Sequence, residues 1–484
     1  MDNLKEKTIQ GVFWNFSERV GMRVIGFLPS IILARLLSPE EFGLVGMLAV
    51  FVMLTQIFLD SGFGVALIQK KNATFEDECS IFYFNILVGG LAVIALFFAA
   101  PLIAEFYNQS ILTGLMRWLS IDLLITAFGL IQTTQLIRRM DFKSLLKANL
   151  LGTLAGGVVG ISAAYLGLGV WSLVLQTISN TVFQTIILWL VCDWRPAFIF
   201  SLKSLRGMFS FGSRMLSSSL FTTFFDNLYQ LFIGKVFSAA SLGYYTRAFS
   251  LRAIVIDASS DALGKVLFPS MSSIQEDTER LKRVYRKSIL LSTFVHFPLM
   301  MGLIVIAGPL ITILFSSKWQ ESILYFQLMC VTGLLYPLSV VNLEILKVRG
   351  RSDLFLRLNL IKRSLLVLTI VITYRWGISA MLAGQIFNSI IAYILNSLYS
   401  EKLIGYSTKS QWLDFLPNLM IASIMAAGMW GIGFLFPDGN LGRLLAQIAL
   451  GLVLYFSINR LARTEPFFEF FAMSKDLLVS MSGK

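Results

Sequence analysis

Arginines at helical spacing inside apolar sequence are the residues that most invite a chemical reading. Asn15, Arg19 and Arg23 fall at i, i+4 and i+8, on one face of a helix. Arg214, Ser218, Thr222 and Asp226 repeat that stripe farther along. Arg252 lies deep in another apolar stretch, followed on the same element by Asp257, Asp261 and Lys265, while Gln56 and Asp60 line a further one. A guanidinium presents a planar fork of donors that suits the oxygens of an anion, phosphate above all. Arg19, Arg23, Arg214 and Arg252 are therefore candidate anion ligands. Asn15, Glu18, Asp60, Asp226, Asp257 and Asp261 are candidate cavity groups, divided between ion coupling and salt bridging. Internal pairing, such as Arg252 or Lys265 with Asp257 or Asp261, is the competing reading.

The elements that hold these groups are membrane spans. The chain has 484 residues, 56% hydrophobic and 14% charged, with a mean hydropathy of +0.74. That much apolar surface needs lipid as its solvent. A hydrocarbon core of ~30 Å takes about 20 helical residues. Fourteen stretches meet that length: 12–37, 42–68, 79–103, 112–137, 148–165, 170–192, 208–237, 242–270, 288–315, 322–346, 358–374, 377–399, 416–436 and 443–459. The first is too long for a signal peptide, carries Arg19 and Arg23, and is expected to remain as a span. Charge at a span centre costs about 2.5–3.5 kcal/mol, so the deep arginines and acids must face partners or water.

Lysine and arginine sort by connection. Twenty-six lie in the terminal segments and alternate connections that begin with 1–10 and 69–78, and only Lys318 and Arg375 lie in the other set. Cytoplasmic loops collect such residues, so both termini are expected in the cytoplasm. The net charge of +12 then marks a membrane face beside anionic lipid, not a nucleic-acid site.

The chain also repeats. Ala34–Val45 (ARLLSPEEFGLV) matches Gly234–Tyr245 (GKVFSAASLGYY) at a shift of 200, with Ser38 on Ser238 and Gly43 on Gly243. The expected fold is an all-α polytopic membrane protein of 14 transmembrane helices. Two six-helix lobes, 1–192 and 208–400, are related by a pseudo-two-fold along the membrane normal, joined by an interfacial linker at 193–207, and followed by two helices and a tail in 401–484. Gly152, Gly156 and Gly160 form tandem GxxxG spacings that suit close helix packing. Pro29, Pro269, Pro298 and Pro337 are expected to bend their spans.

Other chemistry has little support. There is no G-x-x-x-x-G-K-[ST] motif, so ATP does not act on this chain directly. His296 is the only histidine, and Cys79, Cys192 and Cys330 are far apart, so neither a metal site nor a disulfide framework is expected. Loops lack a catalytic set of acids, and no cofactor or enzymatic activity is expected.

ARLLSPEEFGLVGMLAVF (Ala34–Phe51) followed by LDSGFGVALIQ (Leu59–Gln69) resembles the polysaccharide transporters of the multidrug/oligosaccharidyl-lipid/polysaccharide exporter superfamily. The likeness is to the Wzx-like branch, close to the colanic acid exporter group. It implies flipping of undecaprenyl-pyrophosphate-linked oligosaccharide across a bacterial inner membrane by rocking of two lobes. It also implies pyrophosphate contacts for Arg19, Arg23, Arg214 and Arg252, and a prenyl groove at Phe415–Phe436 and Arg443–Asn459. The expected partners are the lipid-linked oligosaccharide, membrane lipids and a polysaccharide polymerase or export machinery. Proton, sodium or membrane potential would bias the switch. The alternatives are a drug antiporter of the same superfamily, for which an acid-dominated cavity is expected, a membrane oligosaccharide ligase or polymerase, and a non-transporting scaffold.

Overall fold

The computed structural model describes residues 26–472 except 61, 71, 438 and 439, and leaves out the side chains at 60, 210–211, 255 and 257–270. All regular structure among these residues is helical: α1 Gly26–Leu36, then α2 Pro39–Asp60, α3 Phe63–Gln69, α4 Phe75–Tyr107, α5 Ile111–Arg138, α6 Phe142–Tyr165, α7 Trp171–Val191, α8 Leu202–Asp226, α9 Leu228–Val236, α10 Ala239–Ser272, α11 Thr278–Phe315, α12 Glu321–Gly333, α13 Tyr336–Val348, α14 Ser352–Thr373, α15 Ile378–Ile404, α16 Thr408–Gly433 and α17 Leu441–Leu461. A last helix, α18, covers 465–472.

Ten of these helices or helix pairs are long and apolar enough to cross a membrane, among them Pro39–Gln69, Phe75–Tyr107 and Glu321–Val348. The protein is a multi-pass membrane protein. Its apolar side chains face outward as lipid requires: Phe98 is 74% exposed and Leu190 75%. Of the fourteen expected stretches, 12–37 lies mostly outside the described residues. Stretches 208–237, 242–270 and 358–374 form α8 with α9, α10 and α14, which have the length but carry more polar residues.

Local chemistry sets the helix ends. Thr74 accepts from the Asp77 N–H in a capping box, and Glu76, Asp77 and Glu78 load the positive end of α4 with negative charge. Gly62, at φ 71, breaks α2 from α3. A Cβ there would lie 3.0 Å from both the Gly212 Cα and the Met215 Cβ of α8, so only glycine allows that crossing.

Contacts divide the chain into two compact units, Met1–Thr246 and Arg247–Lys484, with the division inside α10. In the first, α6 and α7 pack backbone to side chain. Gly152, Gly156 and Gly160 face Asn180, Gln176 and Gln184, and Gln184 Nε2 donates to Asn149 Oδ1 at 2.6 Å. The connection 193–207 buries Trp194 and Leu205 against Phe82 and neighbours, while Phe198 and Phe200 stand exposed. In the second unit, buried Tyr285, Asn342, Ser400 and Gln411 form one hydrogen-bonded cluster, with Asn342 Oδ1 at 2.6 Å from both the Tyr285 hydroxyl and Ser400 Oγ. Below it, Arg286 bridges Asp414 at 3.0 Å and Glu465 at 3.1 Å. Lys287 pairs with Glu469 at 2.8 Å, which fastens α18 to α11. Between α15 and α16, Tyr406 is buried and donates to Asp414; burial first, and that carboxylate second, push its phenol well above the usual range.

Candidate functional site

The polar stripes read from sequence end on several elements. Asn15, Glu18, Arg19 and Arg23 lie outside the described residues. Asp60 is the last residue of α2, and Asp257 and Asp261 lie on α10, with side chains also outside the description. Arg214 and Asp226 stand exposed on α8, and Arg252 is partly buried on α10. Within Met1–Thr246 the structure brings Gln56 and Asp226 together. They share a cleft of about 340 Å³ lined by Met53, Gln56 and Ile57 of α2 and by Thr223, Asp226 and Asn227 at the end of α8. Gln230, one turn on, donates to the Gly46 carbonyl at 2.8 Å and ties α9 to α2.

The cleft combines one carboxylate, two amides and a hydroxyl on an apolar floor. Amides donate to and accept from hydroxyls, and a carboxylate accepts from them, at fixed angles, so this set suits a polyhydroxylated headgroup. It is a poor seat for phosphate, whose charge Asp226 repels. Thr223 and Asn227 were not expected here. They form the stripe next to Thr222 and Asp226, and face the cleft because α8 stops at Asp226 and the chain restarts as α9.

The sequence repeat is itself a contact. A Cβ on Gly43 would fall 1.7 Å from the Ala239 carbonyl oxygen, and one on Gly243 would fall 1.8 Å from the Pro39 carbonyl oxygen. Each repeat copy thus presses its glycine onto the first helical residue of the other. Both helices are serine-capped. Ser38 and Glu41 exchange bonds in both directions at 2.6 and 3.4 Å, while Ser238 accepts from Ser241 N–H at 3.1 Å.

In Arg247–Lys484, Arg252 Nε lies 3.8 Å from where a Cβ of Gly333 would stand, beside Ile256 and Met300. Arg247 is buried, with its guanidinium 4.9 Å from the Phe315 ring and 5.3 Å from that of Trp319. His296 is fully buried.

A family model described as polysaccharide biosynthesis protein matches residues 32–324. The chain belongs to this family. The resemblance carried by Ala34–Gln69 is borne out. Among curated relatives of polysaccharide biosynthesis, the lipopolysaccharide biosynthesis protein WzxC of Escherichia coli (strain K12) is 26% identical over 87% of this chain and 88% of its own. The teichuronic acid biosynthesis protein TuaB of Bacillus subtilis (strain 168) is 27% identical over 90% of each. The solved lipid II flippase MurJ, in an inward closed conformation, has a TM-score of 0.74 at 15% identity, covering 94% of this chain and 99% of MurJ. That likeness is one of fold.

Proposed function

We propose that this member of the polysaccharide biosynthesis family is a flippase. It moves polyprenyl-pyrophosphate-linked oligosaccharide from the cytoplasmic to the periplasmic leaflet of a bacterial inner membrane. The observation that carries the reading is the character of α8 and α10. Both have span length, both are more polar than the other spans, and they bear Arg214, Asp226 and Arg252. A helix that polar crosses a bilayer only if part of its surface meets water or a polar cargo. A diphosphate cannot enter hydrocarbon unaided, whereas a polyprenyl tail can stay in it. A cationic, hydrated path open to lipid resolves that conflict.

In this reading α1, α8 with α9, α10 and α14 complete fourteen spans with the ten apolar ones. Residues 1–192 and 208–400 act as alternating lobes, and both termini are cytoplasmic. Arg19, Arg23, Arg214 and Arg252 take the pyrophosphate, and the Gln56–Asp226 cleft takes sugar hydroxyls. The reciprocal Gly43–Gly243 contact, beside the connections 38–41 and 238–241 that are expected on the outer side, closes the path there. No chemical step is required of the protein. A polymerase or export partner would receive the product, and proton, sodium or membrane potential would bias the switch.

The acid in the cleft favours a second reading, export of an organic cation. Reconstitution separates the two. Vesicles containing the protein should move fluorescent polyprenyl-pyrophosphate oligosaccharide between leaflets. Arg214→Ala and Arg252→Ala should each slow this about tenfold, with lysine only partly restoring the rate because it lacks the planar fork. Unchanged exchange in both variants, or efflux of an organic cation without lipid exchange, would replace the flippase reading.

A further inference from the structure

Pro337 removes a backbone donor from the middle of the α12–α13 span. In an unbroken helix, the N–H of residue 337 would serve the carbonyl of Gly333, four residues earlier. A carbonyl left bare at that depth is costly, and a bent span persists only where a neighbour supplies the missing donor. Here the Gly333 carbonyl oxygen lies 3.0 Å from Nε2 of His296 on α11. A carbonyl only accepts, so Nε2 must carry the hydrogen. The ring is fully buried. Its other nitrogen, Nδ1, is buried without a hydrogen-bond partner among the described residues. The polar work of this side chain is thus directed at one main-chain oxygen.

The same glycine meets α10. A Cβ on Gly333 would come within 2.9 Å of Ile256 Cδ1 and 3.4 Å of Met300 Sδ, with Arg252 Nε at 3.8 Å. The break therefore presents bare backbone where Arg252 packs, and His296 of α11 holds the carbonyl of that same glycine.

We propose that His296 is a positioning residue: its Nε2 hydrogen replaces the donor that Pro337 lacks, fixes the α12–α13 break, and so holds the glycine against which Arg252 is seated. The part concerning Arg252 rests on the flippase reading above. The hydrogen bond does not.

The test is a cycle on the full-length protein. His296→Gln places an amide nitrogen at about the reach of Nε2, whereas His296→Asn places it at about the reach of Nδ1, one bond short. Pro337→Ala returns the backbone N–H. We expect His296→Asn to lower the melting temperature in detergent. In vesicles, it should raise the polyprenyl-pyrophosphate lipid concentration giving half-maximal exchange about tenfold, the effect of one lost buried hydrogen bond. His296→Gln should stay near the native values. His296→Asn with Pro337→Ala should recover both readouts. If Pro337→Ala does not restore the melting temperature, or if His296→Gln is as damaging as His296→Asn, the pairing is wrong. If melting recovers but the half-maximal concentration does not, the bond is structural only and the positioning role falls. If the native protein moves no lipid, the flippase reading fails, and the melting cycle still decides the hydrogen bond.

Discussion

Two sets of glycines in Met1–Thr246 bring main chain against neighbours at distances no other residue allows, and they are built differently. Gly152, Gly156 and Gly160 lie one turn apart along α6, facing Gln176, Asn180 and Gln184 of α7, the next helix in sequence. The contact runs along both helices and is stitched by Gln184 to Asn149. Gly43 and Gly243 are single glycines, one per repeat copy, each touching the other copy's helix start. That contact is short, with one glycine on each side, and joins segments 200 residues apart. The first design suits a permanent seam. The second suits a closure that forms and parts, because it meets at one glycine on each side and not along a helix.

The largest effect should come from the seam. A Cβ on Gly156 would fall 2.7 Å from the Gln176 carbonyl oxygen and 2.8 Å from Asn180 Cβ. Gly156→Val should destabilise the protein by about 3 kcal/mol or more through overpacking against backbone, read as lost abundance in the membrane and a lower melting temperature. Gly43→Ala creates a closer clash, at 1.7 Å, yet should spare abundance, because the closure can part. The signature is exposure. Ala239 is only 3% exposed, and the three native cysteines are buried and free, so Ala239→Cys gives a thiol with little background. Gly43→Ala should raise its labelling rate by a polar maleimide about tenfold, a shift of about 1.4 kcal/mol toward the open form, and should slow lipid exchange. Equal labelling with and without Gly43→Ala, or a loss of abundance matching Gly156→Val, would erase the distinction.

A smaller effect tests the stitching. Gln184→Leu removes the donor to Asn149 and leaves that oxygen in the seam, at a cost of about 1 kcal/mol. It should lower the melting temperature and leave Ala239→Cys labelling unchanged. A change in labelling would mean that the seam and the closure are coupled.

The sequence shows one of these contacts more fully than the other. The GxxxG spacing predicts the α6 seam because both its period and its partner are local. The Gly43–Gly243 match is visible as a repeat, but repetition does not say that the copies touch. Span positions are legible where a segment is apolar throughout: 170–192 became Trp171–Val191, and 377–399 became Ile378–Ile404. The breaks are less so. Apolar sequence resumes after the short polar runs Asp60–Gly62 and Asp226–Asn227, so 42–68 and 208–237 read as continuous spans. The break at Gly62 depends on a left-handed backbone and on Gly212, 150 residues away. Gln56 and Asp226 could be named as polar groups from spacing alone, whereas their pairing in one cleft depends on how α2 crosses α8. Arg247 illustrates the same limit, since the rings of Phe315 and Trp319 that hold it are remote in sequence.

The smallest effects should come from the two caps beside the closure, which differ between the copies. Ser38 closes a two-way box with Glu41, donating its backbone N–H and accepting from Glu41 N–H. Ser238 accepts one backbone hydrogen, from Ser241, and shares a hydroxyl contact at 2.9 Å. A reciprocal box satisfies two donors at a helix start and a single cap satisfies one. Ser38→Ala removes the acceptor for Glu41 N–H and also the 2.9 Å bond that the Ser38 hydroxyl donates to the Glu41 carboxylate holding the box. It should therefore cost about 1 kcal/mol, against about half of that for Ser238→Ala. Both should show first as faster Ala239→Cys labelling, because each cap fixes the helix start whose carbonyl meets the opposite glycine. If the caps served only their own helices, melting would fall with no change in labelling. If Ser238→Ala exceeded Ser38→Ala, the closure would depend more on the second copy than its hydrogen bonds imply.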